Sequence, residues 1–191
     1  MKTSEQLQEP SVRGSTLAQK IRIPIGFGFA LVFLVFSSPS NPALATGLGL
    51  AMAGLLLRLW AAGHLRKHRQ LTITGPYRKT RNPLYLGSFL MGLGFSIASS
   101  ILWIAVLFLV LFLAIYFPVM KREEIELSQA YGAPYKEYLN SVPRFLPAFR
   151  TVAGETQTGF SFRQVLVNRE YNAVLGYLIV SGFLIVKMMW L

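Results

Sequence analysis

Five apolar runs constrain this chain more than any other feature. They cover Ile23–Phe36, Ala43–Ala62, Leu84–Ala98, Ile101–Val119 and Ala173–Leu191. About 20 helical residues span the hydrocarbon core of a bilayer, so each run reads as a membrane helix. The first and third are short, and flanking residues must complete them. Of the 191 residues, 53% are hydrophobic and only 14% charged, too few for the surface of a soluble domain this small. The expected fold is an all-α integral membrane protein of about five transmembrane helices. A polar arm over residues 1–20 precedes a single membrane domain over 21–191, closed by a C-terminal helix at about 170–191. The third and fourth runs, separated by Ser99–Ser100, predict a tight helical hairpin.

The cations set the orientation. Net charge is +11, and every acid is Glu. All 19 Lys and Arg except Arg58 and Lys187 fall in the arm, between the second and third runs, or between the fourth and fifth. The turns at Ser37–Pro42 and Ser99–Ser100 carry none. The positive-inside rule then puts the N-terminus and both basic segments in the cytoplasm. Cations bordering apolar runs suit an anionic membrane surface, not nucleic acid. The expected location is a bacterial-type inner (plasma) membrane with the functional site facing the cytoplasm. Lys20, Arg22, the first run and Ala43–Ala45 resemble a signal peptide, but cleavage would fall where another spanning run begins. Without Cys there is no disulfide, thiolate metal site or Cys nucleophile.

Two polar segments meet at the open end of the hairpin. The first is GPYRKTRNPLYLG, Gly75–Gly87. Gly75-Pro76 sets a turn. Asn82 before Pro83 is placed to cap the third helix. Free N–H groups at that helix start, beside Arg78 and Arg81, suit a carboxylate or another anion. Tyr85 and Leu86 follow in the first turn, and Gly87 permits close approach of a backbone or a ligand. The bland alternative is headgroup anchoring by the cations and Tyr85. The second segment is Met120–Pro147. Adjacent Glu123 and Glu124 at a membrane boundary need partners. Leu127 and Tyr131 share a helix face, as do Tyr135 and Tyr138 after the break at Gly132–Pro134. An amphipathic interfacial helix explains the tyrosines but not the Glu pair.

These segments resemble the C-terminal half of the isoprenylcysteine carboxyl methyltransferase family and the related membrane phospholipid methyltransferases. That family carries Arg-His-Pro-x-Tyr-x-Gly before a hairpin, then Glu-Glu, Phe/Tyr-Gly, two spaced tyrosines and Val-Pro. Here these positions are Arg81, Asn82, Pro83, Tyr85 and Gly87, then Glu123-Glu124, Tyr131-Gly132, Tyr135, Tyr138 and Val142-Pro143. The resembling core spans about 73–147. The resemblance implies S-adenosylmethionine as cofactor, held by Arg81, Asn82, Tyr85, Leu86, Gly87, Glu123 and Glu124 in a cytoplasmic cofactor-binding segment. It also implies a lipophilic small-molecule or lipid acceptor entering from the bilayer, with Glu124 and Arg144 as catalytic candidates. Two departures bear on this. The family His is Asn82 here, which cannot take up a proton near neutral pH. The family Arg before Val-Pro, expected to hold an acceptor carboxylate, is Ser141, leaving Arg144 after Val-Pro as the substitute.

The expected activity is methyl transfer from S-adenosylmethionine to an isoprenylcysteine-like carboxylate or a lipid headgroup. A membrane sterol-type reductase using NADPH resembles the same pattern but wants phosphate-binding cations and no carboxylate pair. A non-enzymatic scaffold would not need the joint spacing of both segments. Arg58, inside LLLRLW, is expected to snorkel to the cytoplasmic edge, the alternative being a role beside the pocket. His64 and His68 stand i, i+4, but among Arg66, Lys67 and Arg69 they make a poor cation site, and no metal is expected. GLGLAMAG, Gly47–Gly54, predicts close helix packing. Asn168–Tyr171 reads as an interfacial cap to the last helix.

Overall fold

The computed structural model describes residues 17–66, 70–148 and 159–190. Among the described residues every apolar run lies in a helix, save Ile101 at the N-cap of the fourth, and there is no strand. The helices are α1 (Leu17–Phe36), α2 (Asn41–His64), α3 (Pro83–Ala98), α4 (Leu102–Tyr131), α5 (Ala133–Ser141), α6 (Phe162–Val167) and α7 (Tyr171–Trp190), with a 3-10 turn at Gly75–Arg78. The all-α membrane fold is thus as expected. Among the described residues three helices, α2, α4 and α7, are long and apolar enough to cross a membrane, while Pro24–Phe36 and α3 are shorter. At 1.5 Å per residue α3 rises about 24 Å, short of the ~30 Å core. α1 begins at Leu17 and so reaches back into the expected arm.

Local chemistry sets the boundaries. Pro residues open α2, α3 and α5, where a missing N–H costs nothing. α4 continues past its apolar run and ends at Gly132, whose φ of 60° carries the chain directly into α5. At the opposite end of the bundle the two short turns are stitched together. Ser38 N donates to Ser99 O at 2.9 Å, and Ser40 N donates to Ser100 Oγ at 3.0 Å. Lys187 turns inward there and donates to the last carbonyls of α1, Leu34 O at 2.8 Å and Val35 O at 3.0 Å.

α2 and α3 pack closest. Gly47 lies against Gly94 and Ala98, and Gly54 lies against Gly87. Side chains would separate these backbones, so the small residues of Gly47–Gly54 serve packing as the sequence predicts. One core cluster joins Phe33, Leu44, Ala98, Ile104 and Leu184, drawn from α1, α2, α3, α4 and α7. α3 and α4 meet differently, through rings. Phe89 contacts Phe108 (5.9 Å between centroids) and Phe112 (5.1 Å), and Tyr85 contacts Tyr116 (5.6 Å).

Candidate functional site

The two polar segments form one unit at the end of the bundle opposite the serine turns. Gly75, at φ 59°, lies against the His64 ring and leads into the 3-10 turn. The chain from Lys79 to Asn82 then runs beside Pro143–Ala148. Arg81 N donates to Pro143 O at 2.9 Å and Ala148 N to Lys79 O at 2.8 Å. Thr80 Oγ1 donates to Phe145 O at 2.8 Å. Tyr138 reaches across to donate to Tyr77 O at 2.7 Å. Beneath this seam Tyr135, Tyr138 and Val142 form a buried cluster with Leu71 and Ile73 at its edge. The tyrosines expected as interfacial anchors are therefore core residues of a small cap. Burial holds the Tyr77 and Tyr138 phenols well above the usual range, and pushes Tyr135 up to about 12.

Asn82 sits at the N-cap position of α3, but its side chain makes no capping bond. Its Nδ2 donates instead to Arg144 O at 2.9 Å. The capping expectation is corrected: Asn82 ties the second segment to the first. Its backbone carbonyl accepts from Leu86 N at 3.0 Å.

The Glu pair divides between two partners. Glu124 receives Arg81 Nη1 at 3.0 Å and both Nε and Nη2 of Arg144, at 2.9 and 2.7 Å. One carboxylate between two guanidiniums leaves the triad net positive. Its hydrogen bond to Glu124 raises the Arg144 pKa further, with burial opposing. Among the described residues Arg81 Nε is buried without a hydrogen-bond partner, a donor left over within the triad. Glu123 accepts a 2.6 Å hydrogen bond from the Tyr85 hydroxyl. The first motif thus touches both carboxylates, through Arg81 and Tyr85. An open groove of about 540 Å³ adjoins the triad, with Lys121, Ser128, Gln129 and Lys136 beside Glu124 and Arg144. The Arg144 guanidinium lies 5.3 Å from the ring centroid of Phe117, an exposed residue of α4.

Two of the named motif residues stand apart from this cluster. Leu86 is buried. Gly87 faces α2: an added Cβ would lie 2.7 Å from Gly54 O and 2.6 Å from the Arg58 side chain. The close approach expected at Gly87 is met by a neighbouring helix.

Arg58 also differs from expectation. It does not snorkel. Glu170 accepts from its Nε at 2.9 Å and Nη2 at 2.8 Å. Asn168, in the same turn, donates to Ala62 O and Leu65 O at the end of α2. Asn168–Glu170 is therefore a clasp on α2 and not merely an interfacial cap. A signal was available in the sequence: a cation inside an apolar run either snorkels or meets a buried anion, and few Glu stand outside the polar segments. His64 is buried with Nδ1 2.9 Å from Trp60 O and its ring against Phe160. His68 lies outside the described residues. Among the described residues no group of three His, Cys, Asp or Glu converges as metal ligands.

Comparison with known proteins shows what part of this helical bundle resembles. Residues 42–134 match the family described as Phospholipid methyltransferase, which places that segment in the isoprenylcysteine/phospholipid methyltransferase superfamily. The chain is similar to the cobalt-zinc-cadmium resistance protein CzcN of Cupriavidus metallidurans, 31% identical over 122 residues, covering 61% of this chain and 55% of that protein. It is also similar to the nickel-cobalt-cadmium resistance protein NccN of Alcaligenes xylosoxydans xylosoxydans, 34% identical over 113 residues, covering 57% of this chain and 51% of that protein. The chain thus spans about half the length of these curated relatives. No solved structure matches it.

Proposed function

We propose that this chain is an integral membrane methyltransferase that moves a methyl group from S-adenosylmethionine to a lipophilic acceptor at the cytoplasmic end of its bundle. The observation that carries the reading is the division of the Glu pair: Tyr85 on Glu123, Arg81 and Arg144 on Glu124. A zwitterionic cofactor needs both signs within one site. The net-positive triad, with its leftover Arg81 Nε donor, suits a carboxylate. Glu123 suits an ammonium or a ribose hydroxyl. When bound, the cofactor supplies a methyl group already activated by its sulfonium.

The chain's own residues then have three tasks. Arg81 and Glu123 hold the two ends of the cofactor's polar part. Arg144, released in part from Glu124, orients an anionic acceptor group from the side of Phe117. The rings of Phe89, Phe112 and Phe145 wall the site toward the bilayer, exclude water and receive an apolar tail. A carboxylate acceptor needs no base. His64, held against Trp60 O and outside the Glu pair's network, is not placed to serve one.

The relatives' names suggest a setting of metal stress. Esterifying a membrane carboxylate removes one negative charge and hence one ligand for a divalent cation. Isothermal titration of the detergent-solubilised chain tests the core of the proposal. S-adenosylhomocysteine should bind. Binding of NADPH in its place would move the chain to the reductases, and binding of neither would favour a scaffold.

A further inference from the structure

Arg58 has three nitrogens engaged, and they face two ways. Nε and Nη2 go to Glu170, whose carboxylate is buried. Nη1 goes to α3, where it donates to Leu84 O at 3.4 Å and to Ser88 Oγ. Ser88 Oγ in turn donates to Leu84 O at 3.0 Å. Leu84 lies in the first turn of α3 and Ser88 in the next, on either side of Tyr85, which that first turn presents to Glu123. Gly87 makes this route possible, because the Arg58 side chain crosses α3 where a Cβ would stand.

The other end of the link is built at some cost. Arg169 takes a left-handed backbone at φ 57°, unfavourable for a residue with a Cβ. That turn, pinned by Asn168 to the end of α2, aims Glu170 at Arg58. Glu170 lies well beyond the family match, which ends at residue 134.

We propose that Glu170 is a positioning residue of the methyl-transfer site: through Arg58 it fixes the first turn of α3 from the α2 side, while Glu123 holds the same turn through Tyr85 from the α4 side. This rests on the methyltransferase reading. The segment after the family core thereby becomes part of the site's support.

Three variants test it: Glu170→Gln, the apolar pair Arg58→Met with Glu170→Met, and the exchange Arg58→Glu with Glu170→Arg. A buried ion pair can often be replaced by apolar residues without loss of stability. The apolar pair should therefore keep the melting temperature close to wild type. It should nonetheless weaken S-adenosylhomocysteine binding by about tenfold, because a misplaced turn is costly to a preorganised site. Hydrogen exchange of the amides at 84–88 should speed up in parallel. The exchanged pair restores the charges, but the carboxylate that Arg58→Glu introduces cannot donate to Leu84 O, so binding should stay weak. Glu170→Gln, the variant with the smallest change, should fold and show an intermediate loss. Wild-type affinity and exchange in the apolar or exchanged pair would reduce the link to a tie between helices and overturn the proposal. Failure of the wild type to bind S-adenosylhomocysteine would instead strike the methyltransferase reading, and exchange at 84–88 would still decide whether the link fixes that turn.

Discussion

Gly54 and Gly87 meet backbone to backbone. A Cβ on Gly54 would lie 2.6 Å from Gly87 O, and one on Gly87 would lie 2.7 Å from Gly54 O. The contact is reciprocal, so neither side can take a methyl group unless the helices part. Gly87→Ala should therefore lower the melting temperature in detergent, by an amount equivalent to about 1–3 kcal/mol of overpacking. Gly87→Leu should disrupt the α2–α3 pair itself. Should either variant melt like wild type, the helices are not held at this distance in solution.

Asn82 offers a sharper test, because two readings predict opposite orders. If the side chain capped α3, Asp would serve as well as Asn. The bond to Arg144 O needs a donor, which an ionised Asp lacks. Asn82→Asp and Asn82→Ala should both lose about 0.5–1.5 kcal/mol in thermal stability. Asn82→His, which keeps a ring N–H, should lose less. A fully stable Asn82→Asp would restore the capping reading.

The Glu pair should behave asymmetrically. Removing charge from Glu124 leaves Arg81 and Arg144 facing each other. Glu124→Gln should cost about 1.5–3 kcal/mol of stability, a figure for charged hydrogen bonds that the partly exposed Arg144 tempers. Glu123→Gln keeps an acceptor for Tyr85 and should melt near wild type while weakening S-adenosylhomocysteine. Equal stability of the two variants would show that the triad does not hold the cap together.

Most of the helices were legible in the sequence, because membrane helices declare themselves by length and apolarity. The hairpin and the convergence of its two polar segments followed from the same runs. The second ends of the contacts did not. Tyr135 and Tyr138 carry the pattern of interfacial anchors, and only the folded cap shows them buried beneath Tyr77. Arg58 read as a snorkelling cation, and nothing local marked the anion it meets. Glu170 stands 112 residues away and is brought there by a turn that composition does not mark. Gly87 was marked as a place of close approach, yet a local pattern cannot say whether a ligand or a helix arrives.

The buried phenols set a pH limit. Tyr77, Tyr135 and Tyr138 all have pKa values raised from 10.0, chiefly by burial. Above pH 10 the unfolded chain releases these protons while the folded chain retains them. The folded state then binds more protons, so the unfolding free energy falls as pH rises. The loss should begin near pH 10 and continue past about 12, where Tyr135 ionises. Ultraviolet titration should show part of the eight tyrosines ionising late, in step with unfolding. Early and complete ionisation of the folded chain would mean that the cap is open to water.

The two seams beside α3 have unequal mechanical character. On the α2 side glycine backbones lie in direct register, a joint with no free travel. On the α4 side rings interleave, and rings can slide or turn without tearing the backbone apart. The bundle is thus stiff in one direction and compliant in the other. The Tyr85–Glu123 hydrogen bond spans the compliant seam as a latch. Thermal breathing should therefore separate α3 from α4 and leave α2 and α3 moving as one plate. Because the chain has no cysteine, introduced thiols can carry spin labels at chosen sites. Label pairs across α3–α4 should give broad distance distributions in lipid, and pairs across α2–α3 narrow ones. Equal widths would mean that the ring-filled seam is as rigid as the glycine joint.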